Sequence, residues 1–240
     1  MSILKNIPYS KSGHERHVLD IYLPECDEFP VLVYFHGGGI ECGEKTEVEE
    51  TAKILNQNGV AVVSANYRLY PNAKYPEFIE DAAQAVAWTF ENINNYGKCN
   101  KIYVCGTSAG AYLSMMLCFD KKYLAAHGID VMQIAGFIHN GGQPTAHFNV
   151  LRERGIDTRR VIVDDTAPLY HIGTESKYPP SLALVADFDM YGRYEQLRIM
   201  ETTMKHFEHS NFCLRILQGG HCCYANYKLG DLIKDFILNN

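Results

Sequence analysis

Short, continuous apolar runs recur along the chain at residues 31–35 (VLVYF), 60–65 (VAVVSA), 102–105 (IYVC), 133–138, 181–186 and 212–217. Runs of this length with no polar alternation predict strands buried on both faces. Between them lie longer stretches whose apolar residues fall three or four apart: 46–58, 77–96, 109–119, 194–207 and 224–238. This is helical spacing, and Gly59 and Gly97 supply stop signals after the first two. Only residues 17–23 (HVLDIYL) alternate apolar with polar, which predicts a strand in an antiparallel hairpin with 3–9. Strand and helix otherwise take turns, so right-handed βαβ units should build a mostly parallel, twisted sheet with helices on both faces.

Residues 140–179 break this rhythm, with about 40 residues of little clean periodicity. Long irregular segments in small domains usually cover or line a site, so a short cap or lid is expected here. The length of 240 residues fits one domain over 1–240 carrying that insertion. A net charge of −6 leaves no basic stripe for nucleic acid or an anionic membrane, and neither is expected as a partner. Residues 1–9 have no apolar targeting core, and no run approaches the ~18 residues of a membrane helix, so a cytoplasmic protein is expected. The eight cysteines have no CxxC spacing and read as reduced, mostly buried thiols. The oligomeric state is open, a homodimer included.

Chemistry enters at residues 101–116, KIYVCGTSAGAYLSMM, where a strand pattern meets a helix pattern across a single tight turn. Gly106, Ser108 and Gly110 match GxSxG, which places the Ser108 hydroxyl clear of the sheet. The same turn directs the Ala109 N–H, at the helix start, to where an oxyanion would form. A Gly/Ser-rich turn without chemistry is the bland alternative. A serine is a weak nucleophile until a base and an orienting acid activate it. His221, after the last strand in QGGHCC, and Asp187 or Asp189, after the strand at 181–186, occur in the serine, acid, histidine order. Both acids project to the same side of an extended chain, so periodicity leaves the choice open. His36 precedes three glycines at the end of the 31–35 strand and should shape that loop. His139, His147 and His171 lack HxH or HExxH spacing, and no metal is expected. Arg159 and Arg160, with Asp164 and Asp165, read as a solvated face of the cap.

Together the strings LDIYLP, YFHGGG, ANYRLYP, YPEFIEDAAQAVAW, GTSAG, DDTAPLYHI, PPSLALVADFD and GGHC span most of the chain. In them the protein resembles the compact carboxylesterases of the α/β-hydrolase superfamily, near the hormone-sensitive-lipase-like and acetyl or feruloyl esterase group. The resemblance implies an α/β-hydrolase fold and an esterase with Ser108 as nucleophile, His221 as base and Asp189 as acid, nine positions beyond Pro180. It implies an oxyanion hole made by the N–H groups of Gly38, Gly39 and Ala109. No cofactor is implied. His36 comes too early for the N-terminal cap of lipase-like members, so small esters with short acyl chains are the expected substrates. Two alternatives stand beside this one: an amidase or formamidase on the same triad, and a non-catalytic ligand-binding member of the fold.

Overall fold

The apolar runs pair edge to edge in a computed structural model that describes residues 2–173 and 177–240. Strands β1 (Ser2–Pro8) and β2 (Val18–Leu23) form the antiparallel hairpin expected from alternation. β2 then joins β4 (Ala61–Ala65) antiparallel, while β3 (Glu28–Phe35), β4, β5 (Lys98–Thr107), β6 (Gly136–Asn140), β7 (Ser181–Phe188) and β8 (Phe212–Gly220) run parallel. A two-residue strand, β9 (Cys223–Tyr224), folds back on β8. The described residues thus give one nine-stranded sheet ordered β1-β2-β4-β3-β5-β6-β7-β8-β9.

Helices α1 (Glu49–Gln57), α2 (Glu77–Asn92), α3 (Ala109–Phe119), α4 (Lys122–Ala125), α5 (Phe148–Glu153), α6 (Arg193–His206) and α7 (Leu229–Leu238) complete the chain. They bury apolar stripes on both faces of the sheet. Ala82, Val86, Tyr112, Met116, Leu197 and Met200 of α2, α3 and α6 join one core, and Ala52, Leu55, Leu232 and Ile233 of α1 and α7 join the other. The fold is that of an α/β hydrolase. No helix among the described residues is long and apolar enough to cross a membrane.

Several strands run longer than the apolar runs and α2 stops at Asn92, short of the expected 96; three further boundaries differ for reasons that the contacts show. β6 starts at Gly136 because Asp130 caps a 3-10 turn over Val131–Gln133, accepting from the Met132 N–H at 2.9 Å. The closing helix starts at Leu229 because Cys223 and Tyr224 pair with Gly220 and Gly219. The first helix is split, with a 3-10 turn over Lys45–Val48 before α1.

Residues 140–179, expected to form a cap, hold α5 and a 3-10 turn at Pro168–His171; 174–176 lie outside the described residues. The segment folds back over α3 and the glycine loop. Tyr112 donates to the Thr166 carbonyl at 2.7 Å, and the Asn149 amide donates to the carbonyl of Gly39.

Candidate active site

The C-terminal ends of β3, β5, β6, β7 and β8 lie along one edge of the sheet, where open α/β sheets bind ligands. Phe35 is in register with Gly106, and Thr107 with Asn140, so the glycine loop, the serine turn and the 140s segment leave the sheet side by side. Ser108 has φ 55° and ψ −111°, a strained conformation for a residue with a side chain. It is fixed by its N–H, which donates to the Asn140 carbonyl at 2.7 Å, and by crowding on either side. A Cβ on Gly106 would come within 1.9 Å of the Gly110 carbonyl oxygen, and one on Gly110 within 2.1 Å of that of Phe35. Only glycine fits either position.

His221 and Asp189 meet this serine. The Ser108 hydroxyl lies 2.8 Å from His221 Nε2, and His221 Nδ1 lies 2.5 Å from Asp189 Oδ1. Asp189 is held from behind by the N–H groups of Met190 at 2.7 Å and Ala186 at 3.2 Å. Burial alone would raise the pKa of its carboxyl, but the hydrogen bond and charge of His221 and the two backbone donors outweigh it, and the net shift is downward. Asp187 turns away and accepts from the Gly219 N–H at 2.9 Å.

The HGGG loop closes the other side. A Cβ on Gly37 would lie 3.4 Å from that of Ser108, so the loop runs in contact with the serine. Gly38 and Gly39 have φ of 96° and 65°, and the Gly38 carbonyl accepts from the N–H groups of Glu41 and Cys42, each at 3.0 Å. The N–H groups of Gly38 and Gly39 have no protein acceptor among the described residues. Ala109, as first residue of α3, has no intrahelical acceptor for its own. His36 stacks on Tyr67 at 4.4 Å, with Nδ1 at 2.8 Å from the Gly37 carbonyl and Nε2 at 3.1 Å from Arg16. Burial lowers its pKa to about 4, so the ring is a neutral strut for the loop.

The three remaining histidines singled out in the sequence part company. Buried His139 meets the Ser114 hydroxyl at 2.8 Å, His147 accepts from the Asn149 N–H at 3.2 Å, and His171 faces the Asp165 carbonyl at 2.9 Å.

Several residues around the site carried no signal in the sequence; Cys222, which adjoins His221 in QGGHCC, is the exception. Arg193, buried at the start of α6, donates to the carbonyl of Gly141 and, at 3.3 Å, to Gln143 Oε1. Gly141 in turn packs on the histidine loop: a Cβ there would lie 3.1 Å from His221 Cε1 and 2.5 Å from Cys222 Sγ. The Cys222 thiol lies 3.6 Å from both the Asn140 carbonyl and His221 Nε2, and burial, with Asp189 nearby, pushes its pKa up to about 12. Below the serine turn, Thr107 Oγ1 receives the Tyr34 hydroxyl at 2.9 Å and the Asn140 amide at 3.2 Å, and Asn140 Oδ1 receives the Tyr224 hydroxyl. Apart from that of Cys222 with its neighbour His221, these hydrogen bonds join residues 33 to 84 positions apart, which no local pattern announces. Arg159 and Arg160, read from sequence as a solvated face, are exposed and also line a cleft of about 320 Å³ with Phe148, Met190, Tyr191 and Arg193.

The BD-FAE family profile matches residues 19–138, half of the 240-residue chain, including the glycine loop and the serine turn. The chain belongs to the BD-FAE family. This BD-FAE chain is 31% identical over 119 residues to a probable isoprenylcysteine alpha-carbonyl methylesterase of Arabidopsis thaliana, a match covering 48% of the chain and 28% of the plant protein. It is 32% identical over 116 residues to kynurenine formamidase of Danio rerio, covering 48% of the chain and 38% of that protein. The matches thus span well under half the length of these relatives. Among solved structures, a truncated carbohydrate esterase from gut microbiota superposes with a TM-score of 0.83 at 18% identity, covering 100% of this BD-FAE chain and 96% of its own. At that identity the likeness speaks for the fold.

Proposed function

We propose that the chain is a serine carboxylesterase that cleaves small esters through an acyl-enzyme. The reading rests on one observation above the others: Ser108, His221 and Asp189 lie in an unbroken hydrogen-bonded line, at 2.8 and 2.5 Å. His221 Nε2 takes the hydroxyl proton as Ser108 Oγ attacks the ester carbonyl. Asp189 fixes the tautomer and stabilises the imidazolium. The developing oxyanion is held by the N–H groups of Gly38, Gly39 and Ala109, each worth about 3–4 kcal/mol in such sites. Collapse expels the alcohol, which takes the proton from His221, and water repeats the sequence on the acyl-enzyme to release the acid. Residues 140–179 act as a short cap over an open pocket, which suits short acyl groups. A fluorophosphonate should label Ser108 once and abolish hydrolysis of an aryl acetate. A label elsewhere by mass spectrometry, or an active labelled protein, would sink the mechanism.

The similarity to kynurenine formamidase favours a second reading, an amidase on the same triad. Aryl acetates and N-formyl aryl amines assayed in parallel would separate the two by kcat/KM.

A further inference from the structure

The cleft beside the Asp189 turn is charged unlike the rest of the molecule. The chain has a net charge of −6, yet Arg159, Arg160 and Arg193 line this cleft with no aspartate or glutamate among them. Two of the three are already engaged. Arg159 grips Asp157, with Nε at 2.9 Å from Oδ1 and Nη2 at 2.6 Å from Oδ2. Arg193 is committed to Gly141 and Gln143. The Arg160 guanidinium makes no hydrogen bond or ion pair among the described residues; the Asp157 carboxylate, gripped by Arg159, acts on it only through space, and its backbone N–H donates to the Asp157 carbonyl at 3.0 Å.

The same cleft has an apolar rim. Met190 and Val161 are 48% and 61% exposed, and Tyr191 is fully exposed. An unpaired cation among exposed apolar groups suits a ligand with a flat apolar body and an anionic end. The planar fork of a guanidinium matches a carboxylate in particular. Position ties the cleft to the chemistry. Met190 directly follows Asp189, and the Phe148 ring is what a Cβ on Gly39 would meet, at 3.0 Å.

We propose that this cleft seats a carboxylate carried by the substrate, bound by Arg160, while the flat part of the molecule lies against Tyr191, Met190 and Phe148. The preferred substrates are then small esters, or amides, that bear a carboxylate. For turnover the proposal rests on the serine-hydrolase reading; for binding it does not.

The test therefore reads binding in a protein that cannot turn over. Calorimetric titration of Ser108→Ala with 4-acetoxybenzoate and with its neutral isostere 4-acetoxybenzamide, at low salt, should give a Kd for the anion lower by about tenfold or more. The ratio should collapse towards one when Arg160→Gln is added. It should survive Arg159→Gln, whose charge Asp157 already neutralises. Equal affinities in Ser108→Ala, a preference that survives Arg160→Gln, or no binding of either probe at millimolar concentration would overturn the proposal. Wild-type protein assayed on the same pair tests the other reading: binding preference without hydrolysis of either probe leaves the cleft assignment standing and removes the hydrolase.

Discussion

Asp187 and Asp189 leave the same strand two residues apart, and only their partners distinguish them. Asp189 faces the His221 ring, whereas Asp187 serves a backbone N–H. In a serine-protease triad, changing the acid to its amide costs about 10⁴ in kcat, because the wrong tautomer is held. Asp189→Asn should show a loss of that kind. Asp187→Asn should lose far less, chiefly through stability; kcat of both variants, each first shown to be folded, decides the assignment. The lowered pKa of Asp189 has a further consequence, with a definite sign. A carboxyl depressed in the folded state contributes stability above its unfolded value of about 3.9 and loses it as pH falls through the folded one. The gap in Tm between wild type and Asp189→Asn should therefore narrow as pH drops below about 4, and a gap that is constant from pH 7 to 3 would contradict this. Alternation along the strand could not separate the two acids; the spacing from Pro180, known only through the resemblance, favoured Asp189.

At the scale of elements, the serine turn and the 140s segment have different tolerances. A Cβ on Gly110 would lie 2.1 Å from the Phe35 carbonyl oxygen, whereas one on Gly155, which is at positive φ (68°), would meet nothing within 4 Å. Gly110→Ala should therefore cost more than the about 1–3 kcal/mol of ordinary overpacking, and Gly155→Ala only about 1 kcal/mol of backbone strain, as read from denaturant midpoints. The turn was legible in the sequence because its glycines and serine are neighbours. The bonds from Arg193 to Gly141 and Gln143, and from Asn149 to the Gly39 carbonyl, were not, because each joins residues 50 or more positions apart. Asn149 is a positioning residue for the glycine loop. On the proposed reading the loop amides bind the oxyanion, so Asn149→Ala should lower kcat with little change in KM, and Asn149→Asp should fail to restore it because a carboxylate cannot donate to the Gly39 carbonyl. A rise in KM alone would refute that role.

For the whole molecule, the α/β order was readable because each buried strand is a continuous apolar run and each helix an interrupted one. What escaped were places where a cap or a strand pair overrode the local pattern, as at Asp130 and Cys223. The folded-back 140–179 segment bears on size selection: acetyl to butyryl esters should give the highest kcat/KM, and a maximum at octanoyl or beyond would rule out a small open pocket. The adjacent thiols at the end of β8 offer something else. Of the eight cysteines, expected to be mostly buried, only Cys105 and Cys118 in the apolar strand and helix are; Cys222 is tucked under the histidine loop with its pKa raised to about 12, while Cys223, the next residue, is exposed. Thiolate is the reactive form, so an alkylating reagent should take Cys223 at once and reach Cys222 only when the loop lifts away. The ratio of the two alkylation rates, followed by mass spectrometry, makes this stretch of chain its own clock for how often His221 leaves its place.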